Sequence, residues 1–225
     1  MSSAIHFIQA GGVVMYPLLA LSIAAIIIIV ERLLAYREFG SLAPGLLALV
    51  ISLCRDGKYD EALRKCHGRS GPIAACLTEV LKRHTQPIRE IERVVEETGQ
   101  DYFIKLERLL PILDTTTTIA PLLGLLGTIV GMIGAFNAIA AQQQRGNVDS
   151  VLAGVGQALY ATATGLVIAV VCFAAYNYFA ARLRTITAET EQAATKLINV
   201  LLERHHIERR SESDQSDAAA VRGRG

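Results

Sequence analysis

The chain has 225 residues, of which 52% are hydrophobic; it has no tryptophan, and its mean hydropathy is +0.36. A wholly water-soluble protein is a poor match for that composition. The formal net charge of +1, with no basic run interleaved with aromatics, excludes nucleic acid as the natural partner. Cys54, Cys66, Cys76 and Cys172 contain no C-x-x-C pair, so reduced thiols are the simplest reading.

From the N-terminus, residues 1–10 carry no Lys or Arg and lack the charged start of a cleavable leader, so the first apolar stretch is expected to be retained. Crossing about 30 Å of hydrocarbon takes roughly 20 apolar residues. Three stretches meet that length: 11–30, 115–141 (with its apolar run from Ile119) and 152–181. The sequence therefore predicts an all-α integral membrane protein with three transmembrane helices, whose long helices extend into a soluble helical domain. That domain is 31–114. Its apolar run from Leu42 to Cys54 is too short to span and holds Pro44 and Gly45, so it is expected to be a buried helix. After Pro87, Ile88, Ile91, Val95, Tyr102, Leu106, Leu109 and Leu113 recur at helical spacing, a stripe able to run into the second span. Residues 142–151 are expected to form a short outer turn. Residues 182–210 repeat the helical spacing through Leu183, Ile186, Ala193, Leu197, Val200 and Leu201. Packing within one subunit and packing against other copies both explain these stripes. From Ser211 to Gly225 the composition predicts disorder.

Basic residues set the orientation, because inner flanks carry the excess of Lys and Arg. Of the 22, 13 fall between Arg32 and Arg108, eight follow the third span, and only Arg145 lies between the second and third. The N-terminus is thus expected outside, the long loop inside and the C-terminus in the cytoplasm.

No span has an ionisable side chain in its middle; Glu31 and Asp114 sit at ends. A charge at the centre of a bilayer costs at least about 2.5 to 3.5 kcal/mol. If ions move here, the titrating group must come from a partner helix. What the spans do hold is small residues. Gly124, Gly127, Gly131 and Gly134 in the second, and Gly154, Ala158, Thr162, Gly165 and Ala169 in the third, form two smooth faces suited to close helix packing. Glycine is also simply frequent in membrane helices. Thr128 and Thr162 lie near mid-helix, where most threonines bond back to their own helix. Thr115 to Thr118 precede Pro121, whose ring frees the carbonyl of Thr117, and read as backbone repair.

Three segments in order, GGVVMYPLLALSIAAIIIIVERL (Gly11 to Leu33), APLLGLLGTIVGMIGAF (Ala120 to Phe136) and GQALYATATGLVIAVVCFAAYNYFAARL (Gly156 to Leu183), resemble the span signatures of the MotA/TolQ/ExbB proton-channel family. The resemblance implies a homo-oligomer, a pentamer, in the bacterial inner membrane. It would enclose a single-span ExbD- or TolR-like subunit whose intramembrane Asp carries the proton, and pass force to a TonB- or TolA-like protein. Thr128 and Thr162 match the family's two pore-lining threonines. At Gln157 many members carry Glu; an amide cannot titrate, so the role of Gln157 is uncertain.

No enzyme constellation is present. His6, His67, His84, His205 and His206 are scattered outside the spans, and no G-x-x-x-x-G-K-[ST] loop occurs, so no catalytic residue, metal or cofactor is expected. The function expected is a proton-driven motor subunit, ExbB-like in outer-membrane import or TolQ-like in envelope maintenance. A passive membrane scaffold is the rival.

Overall fold

A computed structural model describes residues 12–39, 45–141 and 148–222, and all regular structure among them is helical. In chain order the helices are α1 Met15–Phe39, α2 Leu46–Arg55, α3 Tyr59–Cys66, α4 Pro72–Lys82, α5 Ile88–Glu107, α6 Leu110–Ala141 and α7 Val148–Arg222. Three are long and apolar enough to cross a membrane, in the stretches Met15–Arg37, Ile88–Asn137 and Gly154–Arg204. The expected all-α, three-span architecture is therefore the observed one. Leu42 to Pro44 lie outside the described residues, as do 142–147.

Two prolines in the middle of the chain act in opposite ways. Pro111 cannot donate to the carbonyl of Glu107, and the helical stripe breaks into a two-residue turn at Arg108 and Leu109 between α5 and α6. Pro121, by contrast, sits inside α6 without ending it. Just before it, the hydroxyls of Thr115, Thr116 and Thr117 donate to the carbonyls of Pro111, Ile112 and Leu113 at 2.7, 2.7 and 3.0 Å. Beyond Ser211, where composition predicts disorder, α7 continues to Arg222, since neither glycine nor proline interrupts the sequence before Gly223.

The chain divides into two compact units at Leu34/Ala35, Leu106/Glu107 and Ala181/Arg182. The first holds the apolar parts of α1, α6 and α7. Within the most apolar window of each helix only 22%, 22% and 33% of residues are buried by the chain itself. Ile26, Leu122 and Val167 stay 56%, 59% and 64% exposed. So much bare apolar surface requires lipid or further subunits as its solvent. Two turns before the end of α1, Arg32 is buried and its guanidinium donates twice to the Glu31 carboxylate, both at 2.7 Å.

The second unit has an apolar core of its own. Leu46, Val50 and Leu53 of α2, Leu77 and Val80 of α4, Ile91 of α5, and Leu197 and Leu201 of α7 pack together, as the apolar spacing of each helix predicts. The short apolar run that cannot span is thus buried, as α2. Its C-terminus is closed by Gly57 at φ +77, which lets the Gly57 and Lys58 amides donate to the carbonyls of Cys54 and Leu53 at 3.1 and 2.9 Å. Arg204 from α7 lies against Gly57 and donates to the carbonyls of Cys54 and Arg55 at 3.0 and 3.2 Å. Its guanidinium also sits 5.7 Å from the ring of Tyr59, which stacks on His84 at 4.2 Å.

Candidate functional site

Within the first unit, α6 and α7 meet along a seam made almost wholly of residues with little or no side chain. Its α6 side is Ala120, Gly124, Gly127, Gly131 and Ala135, at steps of three and four that keep one face. Its α7 side is Gly154, Ala158, Ala161, Thr162 and Gly165. A methyl group built on Gly127 would come within 2.5 Å of the Ala161 Cβ, and one on Gly124 within 3.0 Å of the Thr162 backbone. On Gly165 it would collide with the Ala120 carbonyl. Such backbones are in contact, so dispersion and weak C–H to carbonyl contacts replace side-chain interlocking.

The sequence-predicted packing residues divide accordingly. Gly124, Gly127, Gly131, Gly154, Ala158 and Gly165 lie on the seam. Gly134 lies off it: a methyl there would meet nothing within 4 Å, and Ala135, four residues after Gly131, carries the face instead. Ala135, Ala120 and Ala161 are seam residues that the glycine pattern does not reveal. Their signal was available, since each falls at a three- or four-residue step from a seam glycine.

The two threonines behave differently. Thr128 donates to the carbonyl of Leu125 on its own helix at 2.6 Å. Thr162 does not bond back; its hydroxyl crosses the seam to the carbonyl of Gly124 at 3.0 Å. The two hydroxyls thus terminate on adjacent carbonyls of one α6 turn. Each has its proton committed, and each oxygen keeps lone pairs that can accept. An acceptor of that kind stabilises a neutral carboxylic acid over a carboxylate, because only the acid has a proton to donate. Gln157, half-buried on α7, sets its carboxamide against Gly12, whose φ of +72 and missing Cβ make that approach feasible. Asp114 is exposed on α6, four residues after its start.

Between Val13 and Val30, Thr115 and Ala141, and Leu152 and Ala181, the sequence contains no Asp, Glu, Lys, Arg or His. Among the described residues no group of three His, Cys, Asp or Glu is placed to hold a metal ion. What α6 and α7 present is an uncharged, hydroxyl-bearing wall.

The profile described as the MotA/TolQ/ExbB proton channel family matches residues 69–192, over half of the chain. The chain belongs to that family. The match covers α6 and the whole seam, so the small-residue faces and both threonines lie inside the family's own region. Among relatives, a biopolymer transport protein of Synechocystis sp., ExbB-like 3, is 29% identical over 172 residues, covering 76% of this chain and 82% of that protein. ExbB-like 1 from the same organism is 34% identical over 168 residues, covering 71% of this chain and 64% of that protein. The Tol-Pal system protein TolQ of Pseudomonas aeruginosa is 42% identical over 78 residues, about a third of either chain. As a member of the MotA/TolQ/ExbB family, the chain is an integral membrane component of the channel and transport-motor class, which is not a class of enzymes.

Proposed function

We propose that this chain is the multi-span subunit of an inner-membrane motor that couples the proton-motive force to TonB-dependent transport across the outer membrane. The observation that carries the reading is the absence of any Asp, Glu, Lys, Arg or His across the middle of the three spans, beside two hydroxyls whose bonds end on one turn of α6. A proton cannot cross such a wall unaided. A homo-oligomer, a pentamer, surrounds a single-span ExbD- or TolR-like subunit whose Asp supplies the titrating group. The Asp crosses the apolar zone as the neutral acid, and Thr128 and Thr162 line the path and accept its proton as a hydrogen bond. Each proton then delivers about 2.3 kcal/mol per 100 mV, enough for one conformational step. Force passes to a TonB- or TolA-like protein. The N-terminus lies outside and the C-terminus in the cytoplasm, as the distribution of Lys and Arg indicates.

The test replaces Thr128 or Thr162 by alanine in the intact complex and follows energy-dependent uptake. Uptake should fall while the protein level and assembly hold. Normal uptake in both variants at normal protein levels overturns the reading. A TolQ-like role in envelope maintenance is the second reading, supported by the 42% identity to TolQ over 78 residues. Detergent sensitivity of a deletion strain with intact outer-membrane import would select it.

A further inference from the structure

We propose that the second unit carries both halves of a head-to-tail contact between copies of this chain, in which an acidic cleft along α5 and α7 receives the basic α3–α4 turn of the next copy. The inference rests on the oligomeric reading above and adds which surfaces meet.

A cleft of about 560 Å³ opens where α4, α5 and α7 converge. Its floor includes Val95, Gly99, Phe103, Ala194 and Ile198, and its charged groups are Glu92, Glu96 and Glu191. No cation lines it. Glu92 and Glu96 lie one turn apart on the same face of α5, and all three carboxylates are on exposed residues with no ion-pair partner among the described residues. Three like charges around an apolar floor fit a cation on an aliphatic stem better than any neutral occupant.

The other flank of α5 has the opposite character. Thr98 and Tyr102 line a second cleft of about 370 Å³ together with His67, Arg69 and Lys82. Between residues 64 and 83 the chain has five cations, Arg64, Lys65, Arg69, Lys82 and Arg83, against one acid, Glu79, which is already paired with Lys82 and Arg83. Over Ile88–Glu107, by contrast, six acidic residues face three basic ones. Arg64, Lys65 and Arg69 are exposed, and the α3–α4 turn is thin, with Gly68 and Gly71 at φ +84 and +124. An arginine offered from this turn can lay its methylenes on the apolar floor and its guanidinium among the carboxylates. When the acidic patch of each copy takes the basic patch of the next, the pairing is heterologous, the kind that builds a ring where its rotation closes.

The experiment uses the full-length chain, two differently tagged copies co-expressed in membranes, Glu96→Cys in one and Arg69→Cys in the other. The native thiols are all buried and stay out of the reaction. Oxidation should give a product carrying both tags, and the pair Glu96→Cys with Glu96→Cys should give none. No doubly tagged product overturns the proposal. Independently, Glu92→Lys with Glu96→Lys should reduce the oligomer to smaller species by native mass, and adding Arg64→Glu and Arg69→Glu should restore it. An oligomer indifferent to the reversal also overturns it. Neither readout depends on transport: a failed motor reading leaves the cross-link standing, and a failed interface abolishes the cross-link whether or not uptake runs.

Discussion

Thr162 and Gly124, 38 residues apart in sequence, are joined by a hydroxyl-to-carbonyl hydrogen bond of 3.0 Å that crosses from α7 to α6. The missing side chain of Gly124 favours that approach: a methyl there would stand 3.0 Å from the Thr162 backbone, tighter than ordinary packing.

That bond separates Thr162 from Thr128 in a stability measurement. Thr162→Val should lower the thermal midpoint of the full-length protein in detergent, by about 0.6 to 1 kcal/mol of lost interhelical bonding. Thr162→Ser should keep it, and Thr128→Val, which removes only a bond within one helix, should leave the midpoint nearly unchanged.

The seam makes a similar contrast among glycines. Gly127→Val or Gly165→Val forces α6 and α7 apart and should destabilise by at least about 1 to 3 kcal/mol, the range for overpacking. Limited proteolysis of membranes would reveal it as loss of the intact band. Gly134→Ala, with open space around it, should be tolerated or mildly stabilising.

In the second unit, Gly57→Ala should cost about 1 kcal/mol or more, because its φ of +77 is strained for any residue with a Cβ and Arg204 occupies the space beside it. Arg204→Ala should expose the C-terminal amides of α2 to faster hydrogen exchange. Arg204→Lys should repair this only in part, since an ammonium can donate to the two carbonyls that Nη1 serves but cannot also place a planar guanidinium beside the Tyr59 ring.

The thiols of this unit predict an alkaline limit. Burial pushes Cys54 and Cys76 from an ordinary 9.0 up to about 11, helped at Cys54 by Cys66 and at Cys76 by Glu79, and Arg204 opposes the shift at Cys54. The native thiols therefore hold their protons more tightly than the unfolded chain does. Their contribution is complete below pH 9 and is lost as pH climbs toward 11. Circular dichroism of the full chain should show cooperative loss of helix in that window, and a maleimide at neutral pH should react slowly with either residue. Rapid labelling of the folded protein would contradict the burial.

Much of the fold was legible because hydropathy and helical spacing report directly on what each helix faces. The spans, the buried α2 and the stripes of α5 and α7 all follow from those periods. Less of the seam was legible. Glycine marks where backbones approach, but Ala120, Ala135 and Ala161 serve the same contact and look like ordinary membrane alanines, whereas Gly134 carries the mark and lies off the contact. The break at Arg108 and Leu109 also escaped the periodic reading, because Leu109 and Leu113 continue the stripe while Pro111 removes the donor that would have held it together. Hydrogen-bond direction was not readable at all: the sequence does not distinguish a threonine that bonds back from one that reaches across.

The interlocked α6–α7 backbones have a mechanical corollary. With glycine facing glycine and carbonyl facing Cα, a slip of even a quarter turn would bring a leucine or isoleucine ridge into a slot made for a hydrogen atom. The pair therefore behaves as one stiff bar, and in the motor proposed above any play would belong to the joints around it, not to this one.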